Sequence, residues 1–314
     1  MGQSPVSHPA DNSRQQIEIL EVSPRDGLQN DATLVSTRDK LQLILGAVEA
    51  GARRIEATSF VNARKVPQMA DAAELMAALR GEDDLRAKGV KLSGLALNLR
   101  GAERALAADV DELNYIVVAS ESFNQRNNGC AIEETLQQME AAARASTAPL
   151  SITIAAAFGC PFEGEVDRQR VIALATAASE AGAWEIALAD TIGVADPLAV
   201  EDLLSLVAVA APQAALRCHF HNTRNTGVAN AFAAWRAGVK TLDASIGGIG
   251  GCPFAPRAAG NISTEDVVYM FQRMGVDTGY DLTALMGLNQ WLGAILATDL
   301  PSMVGKAGGF PKAA

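Results

Sequence analysis

Ile17-Glu18-Ile19-Leu20-Glu21-Val22-Ser23-Pro24-Arg25-Asp26-Gly27 is the stretch on which the fold turns. Its first seven residues are apolar and β-branched enough to read as a strand. A doubly wound nucleotide-binding fold would follow such a strand with a glycine-rich turn, so that the backbone could approach a pyrophosphate. Here the chain leaves the strand on Ser23-Pro24-Arg25-Asp26-Gly27, which sets a cation beside a carboxylate. That disfavours the open sheet and leaves a closed barrel as the parallel-sheet solution.

Seven more strands are expected outward from this one, over Arg54 to Thr58, Val90 to Leu97, Glu112 to Val118, Leu150 to Ala156, Trp184 to Ala189, Leu216 to His221 and Thr241 to Ile246. Helical patterns alternate with them. In the first, Leu41, Ile44, Leu45 and Val48 recur at the spacing of one helix face, and Gly51 is a candidate C-cap. Ala50-Gly51-Ala52, Ala181-Gly182-Ala183 and Ala237-Gly238-Val239 form a weak repeat, each a helix stop feeding a strand. Eight βα units in 314 residues predict a TIM (β/α)8 barrel with additional C-terminal helices. We read residues 1–16 as a flexible tail and residues 17–314 as one barrel domain, because no linker-like stretch divides the chain.

Composition narrows the partners. A net charge of −10 without a basic stripe argues against nucleic acid. No apolar run reaches the roughly 18 residues of a spanning helix, so no membrane partner is expected. The four cysteines, Cys130, Cys160, Cys218 and Cys252, lie far apart. That spacing fits reduced thiols and a cytoplasmic location. The first three are expected to be small buried hydrophobes.

In this fold chemistry gathers at the C-terminal ends of the strands. Arg25 and Asp26 stand at the first. Glu56 interrupts an apolar second strand, and a carboxylate facing into a barrel needs a partner, for which Arg25 is placed. His219 and His221, two of the three histidines, are two apart at the end of strand seven. Their side chains therefore share a face and can converge on one ion. After strand eight comes Gly247-Gly248-Ile249-Gly250-Gly251-Cys252-Pro253, then Asn261. This glycine loop lacks the Lys and Ser/Thr of a phosphate loop, so we read it as a lid bearing Cys252. Asp26, His219, His221 and Asn261 offer one carboxylate, two imidazoles and one amide oxygen. That set suits Mg²⁺, Mn²⁺ or Co²⁺. The two-histidine, one-carboxylate triad of non-haem iron is the rival reading.

These residues resemble the DRE-TIM metallolyase superfamily, and within it the 3-hydroxy-3-methylglutaryl-CoA lyases. The resemblance rests on Ser23 to Asn30, Glu56 to Val61, Val66-Pro67-Gln68-Met69, Gly159-Cys160-Pro161-Phe162-Glu163-Gly164, Asp190-Thr191-Ile192-Gly193 and Gly248 to Pro253, and it runs from Ile17 to Gly305. The cysteine-bearing glycine loop separates the lyases from isopropylmalate synthases and oxo-acid aldolases of the same superfamily.

The resemblance implies one Mg²⁺ or Mn²⁺ held by Asp26, His219, His221 and Asn261, with Arg25, Glu56, Asp190 and Cys252 serving catalysis. It implies cleavage of a 3-hydroxy-3-methylglutaryl-CoA-like thioester to acetyl-CoA and acetoacetate, as in leucine degradation and ketone-body formation, by a homodimer. In that scheme the metal acidifies the 3-hydroxyl, Arg25 stabilises the enolate, Cys252 protonates it, and Asp190 orients a histidine or a water. Gln29, Arg64 and Lys65 are the candidate contacts for the acyl-CoA. Asn222 and Arg224 after the histidines, and Thr153 where a tyrosine is usual, depart from the pattern. They point to a related 3-hydroxy-3-substituted acyl-CoA as an alternative substrate. A Claisen-type acyl-CoA condensing enzyme and a non-catalytic acyl-CoA-binding barrel are the other readings.

Overall fold

The computed structural model describes residues 16–251 and 260–311. Eight strands form a closed, all-parallel barrel in sequence order: β1 (Glu18–Glu21), β2 (Arg54–Ser59), β3 (Lys91–Ala96), β4 (Glu112–Val118), β5 (Leu150–Ala155), β6 (Glu185–Asp190), β7 (Ala215–Phe220) and β8 (Thr241–Ala244), with β8 pairing back onto β1. All eight fall where the sequence places them. The C-terminal helices are present too, Leu282–Leu296 and Met303–Ala307 following the helix Thr264–Arg273. Among the described residues no helix is long and apolar enough to cross a membrane.

Several strand ends shift by one or two residues from expectation, and the changes at the ends of β1 and β7 build the site. The first strand stops at Glu21, and the Ser23 N–H turns to the Glu21 carboxylate at 2.9 Å instead of to a neighbouring strand. Ser23–Gly27 instead forms a single π-helical turn, closed by Gly27 N–H donating to Val22 O at 3.1 Å. Such turns re-aim side chains and recur at functional sites. The seventh strand stops at Phe220, and His221 forms an isolated antiparallel bridge with Asn261. Ile262 N–H donates to Phe220 O and Asn222 N–H to Gly260 O, at 3.1 and 3.0 Å, so residues 260–262 lie alongside the exit of β7.

The main apolar core fills the space between barrel and helices. Side-chain caps start the surrounding helices: Ser36, Asn98, Asp167, Asp196, Ser263 and Asp281 each accept from a backbone N–H one to three residues into their helix. In the helix Thr37–Glu49 the buried stripe is Leu43, Ile44, Ala47 and Val48, while Leu41 and Leu45 are half-buried at its margin. The face is rotated from the expected one because Lys40 is buried with it, its ammonium on Asp71 Oδ1 at 2.7 Å and on Gln68 O. Gly51, Gly182 and Gly238 of the repeated phrase all have left-handed φ, at +121°, +87° and +99°. Each reverses the chain just past a helix end, where a side chain would be strained.

Residues 1–15 lie outside the described residues, and the expected tail and His8 lie there with them. Gln16 is bridged to Asp277.

Candidate metal centre and cleft

The exit of β7 presents His219 and His221 on one face, as the two-residue spacing requires, with ring centroids 5.2 Å apart. Asp26, carried in by the π turn, sets Oδ2 at 3.9 Å from Nε2 of each histidine. Two donors each about 2.1 Å from one ion stand at most about 4.2 Å apart, so these separations suit a shared cation. Asn261 arrives by its bridge to His221. Its Nδ2 donates to Asp26 Oδ2 at 2.8 Å and to Ile249 O at 3.0 Å. Its Oδ1 is buried and has no hydrogen-bond partner among the described residues. A buried acceptor left unsatisfied costs on the order of 1–3 kcal/mol, and a cation beside the other three donors would satisfy it. Asp26, His219 and His221 thus meet as expected, with Asn261 against Asp26, and the mixed nitrogen-and-oxygen, thiolate-free set fits Mg²⁺ or Mn²⁺.

Charge is arranged to suit a cation. Burial would raise the Asp26 carboxyl, but the Arg25 guanidinium and the two imidazoles hold it well below the usual carboxylate range. Burial, with His219 beside it, pushes His221 down to about 4, which leaves its ring neutral and able to ligate. His219 is moved the other way: burial opposes the shift, and the hydrogen bond to Asp243 outweighs it.

Arg25 and Glu56 meet as the sequence suggests. The guanidinium donates to Glu56 Oε1, and Nη1 donates to Asp26 Oδ1 at 2.5 Å. Glu56 Oε2 accepts from Asn114 Nδ2 at 2.6 Å, and Asn114 Oδ1 accepts from the Thr153 hydroxyl at 2.9 Å. Arg25 is thereby fixed from two sides, with its charge balanced by two carboxylates. Arg25, Asp26 and Thr153, together with Gln29, Asn30, Ile116, Phe123, Ala155, Ala189 and Asp243, line a cleft of about 730 Å³, partly open to solvent, at the C-terminal mouth.

The other expected residues fall as follows. Gln29 reaches the cleft wall and accepts from the Ser59 hydroxyl at 2.9 Å. Arg64 and Lys65 are exposed on the loop after β2 and do not line the cleft. Asp190 accepts from Val194 and Ala195 N–H at 2.9 and 3.0 Å, which shapes the loop after β6, and among the described residues no hydrogen bond joins it to a histidine. Arg224 likewise stays out of the cleft, its Nη1 donating to the carbonyls of Ile192 and Gly193. Cys252 lies outside the described residues. Cys160 and Cys218 are buried, and Cys130 is half-buried.

Several contributors escaped the sequence reading. Asp243, opposite His219 in the β7–β8 register, sets Oδ2 at 3.1 Å from His219 Nδ1. Asn114 anchors Glu56. Gln68 ties loops together, accepting from Val35 N–H and donating to Leu28 O and Thr33 O. Glu21 is buried beneath the mouth, accepting from Ser23 and Ile246 N–H and from the Thr264 hydroxyl. Burial pushes its carboxyl up to about 7. For Glu21, Asn114 and Asp243 the available signal was a polar or charged residue inside a buried strand.

Comparison with known proteins agrees with this geometry. The HMGL-like family profile matches residues 16–292. The (R)-citramalyl-CoA lyase of Chloroflexus aurantiacus is 44% identical over 301 residues, covering 93% of this chain and 95% of the relative. The mitochondrial hydroxymethylglutaryl-CoA lyase of Homo sapiens is 39% identical, covering 93% and 89%. An HMG-CoA lyase from Acinetobacter baumannii, solved in complex with coenzyme A and 3-methylmalate, superposes with a TM-score of 0.89 at 38% identity, over 95% of this chain and 97% of that one. With a family profile and relatives that span almost the whole barrel, the chain belongs to the HMGL-like family.

Proposed function

We propose that this protein is a divalent-metal-dependent carbon–carbon lyase. Its substrate would be an acyl-CoA with a tertiary 3-hydroxyl and a distal carboxylate, with 3-hydroxy-3-methylglutaryl-CoA the first candidate. The observation that carries the reading is the convergence of Asp26, His219 and His221, with ligand atoms within 4.8 Å of one another at the mouth of the cleft and the Asn261 side chain bonded to Asp26.

Asp26, His219, His221 and Asn261 would hold a divalent cation, which would supply a Lewis acid easing transfer of the 3-hydroxyl proton to a general base near neutral pH. Collapse to the ketone breaks the C2–C3 bond and leaves its electron pair on the acetyl-CoA fragment as an enolate. The Arg25 guanidinium, fixed by Glu56 and Asp26, stabilises the oxygen of that enolate, a contribution of roughly 3–4 kcal/mol where such donors have been removed. Cys252 returns a proton to C2, which gives acetyl-CoA and acetoacetate. Gln29 on the cleft wall contacts the thioester arm, and Arg64 and Lys65, exposed beyond β2, meet phosphates of the coenzyme.

A second substrate is favoured by the 44% identity to a citramalyl-CoA lyase. Citramalyl-CoA carries the same tertiary hydroxyl with its carboxylate one carbon closer, and the same bond cleavage gives acetyl-CoA and pyruvate.

Chelator-stripped protein given Mn²⁺ or Mg²⁺ and each thioester in turn separates the readings. We expect acetyl-CoA with acetoacetate or with pyruvate, dependence on added metal, and loss of turnover in Cys252→Ala. Failure to form acetyl-CoA from either substrate, or turnover untouched by chelation, would overturn the proposal.

A further inference from the structure

The two histidines at the metal centre are supported differently. His219 Nδ1 lies 3.1 Å from Asp243 Oδ2, whereas His221 Nδ1 is buried with no hydrogen-bond partner among the described residues. Asp243 does not stand alone. Both of its oxygens accept from Arg217 Nη1, at 2.6 Å each. Arg217 sits two residues before His219 on β7, so both point into the barrel. It is among the largest fully buried side chains described here, and its Nε donates to Glu185 Oε2 at 2.7 Å. Glu185 is gripped in turn by both terminal nitrogens of Arg54, at 2.8 and 2.7 Å, and Arg54 Nε donates to Glu112 at 2.8 Å.

A column of alternating charge therefore runs from the lower barrel to the metal centre and ends on one histidine nitrogen. Burying this many charges is costly, and burial alone is weak evidence of a stabilising role. What the column does achieve is geometric. A carboxylate held by a guanidinium is an acceptor only, so the His219 nitrogen facing it must carry the proton. The lone pair is then left on Nε2, which faces Asp26.

We propose that Asp243, held in place by Arg217, is a positioning residue that fixes His219 in its Nδ1–H form and so presents Nε2 to the cation. His221, without such support, would be the weaker of the two ligands. The inference rests on the metal-site reading above.

The first test is Mn²⁺ affinity, by electron paramagnetic resonance on the full chain, of wild type against Asp243→Asn and Glu185→Gln. Loss of a carboxylate behind a metal-bound histidine costs about 10- to 100-fold in affinity. We expect a loss of that size for Asp243→Asn and a smaller one for Glu185→Gln, which leaves Asp243 intact. Wild type that binds no Mn²⁺ would defeat the metal-site reading itself. Wild type that binds while Asp243→Asn binds equally well would defeat only this inference.

A second measurement needs no variant. In Mg²⁺-loaded protein with ¹⁵N-labelled histidine, His219 is expected to show a protonated, hydrogen-bonded Nδ1. A merely structural Asp243 would not impose that signature, and an unprotonated Nδ1 would overturn the proposal even if the substituted proteins failed to fold.

Discussion

The Arg25 guanidinium, on the π turn after β1, donates to the Glu56 carboxylate on β2 and so is aimed into the cleft beside Asp26. Arg25 touches Asp26 while Glu56 touches Asn114, so the pair links the metal centre to the opposite barrel wall. Loss of either partner disturbs both.

Arg25→Lys is expected to lower kcat by about 10²- to 10³-fold with little change in KM, because a shorter point charge cannot reproduce two directed contacts. Glu56→Gln should lower kcat less, since its amide oxygen can still accept from Arg25. Steady-state kinetics on both variants check this. Equal loss in KM and no loss in kcat would place Arg25 in ground-state binding instead.

Gly250 has φ +108°, and a Cβ there would lie 2.5 Å from Asn261 Nδ2 and 3.0 Å from Asp26 O. Gly250→Ala is therefore expected to push Asn261 off the centre as well as strain the backbone by on the order of 1–3 kcal/mol. Mn²⁺ affinity should fall while the folded barrel persists, read by titration alongside circular dichroism. Unchanged affinity would mean that the loop yields without moving Asn261.

Much of this was legible beforehand because it follows strict periods. Eight strands, the His219–His221 spacing and the Arg25–Glu56 pairing come from alternation along strands and from the cost of an unpaired buried charge. The roles of Asp190 and Arg224 were not legible: a polar residue at a strand end can face the cleft or turn back to its own loop, and both turned back. Asp243 was missed for a related reason. It joins His219 through strand register, a relation between residues 24 apart that one strand's pattern does not contain.

Stability should depend on pH through Glu21. Its carboxyl is raised from 4.5 to about 7 in the folded state, so the fold binds the proton more tightly than the unfolded chain does. The contribution is complete below pH 4.5 and is lost as pH rises through 7. Its full size is about 3 kcal/mol. Urea midpoints for wild type and Glu21→Gln between pH 5 and 8.5 check the sign: wild type should lose stability relative to the variant as pH rises. A gap that stays constant across that range would refute the assignment.

Metal should stabilise the folded protein by mass action. At 100-fold excess over the dissociation constant the increment is about 2.7 kcal/mol. Mn²⁺ is therefore expected to raise Tm of chelator-stripped protein by several degrees, and Asn261→Ala should remove most of that rise. An Asn261→Ala increment equal to wild type would exclude Oδ1 as a ligand.

Anomalous diffraction from a crystal grown with Mn²⁺ tests the central claim most directly. We predict one peak bonded to Asp26 Oδ2, His219 Nε2, His221 Nε2 and Asn261 Oδ1 together. A peak elsewhere, or one that leaves Asn261 Oδ1 or either histidine unbound, would contradict the account.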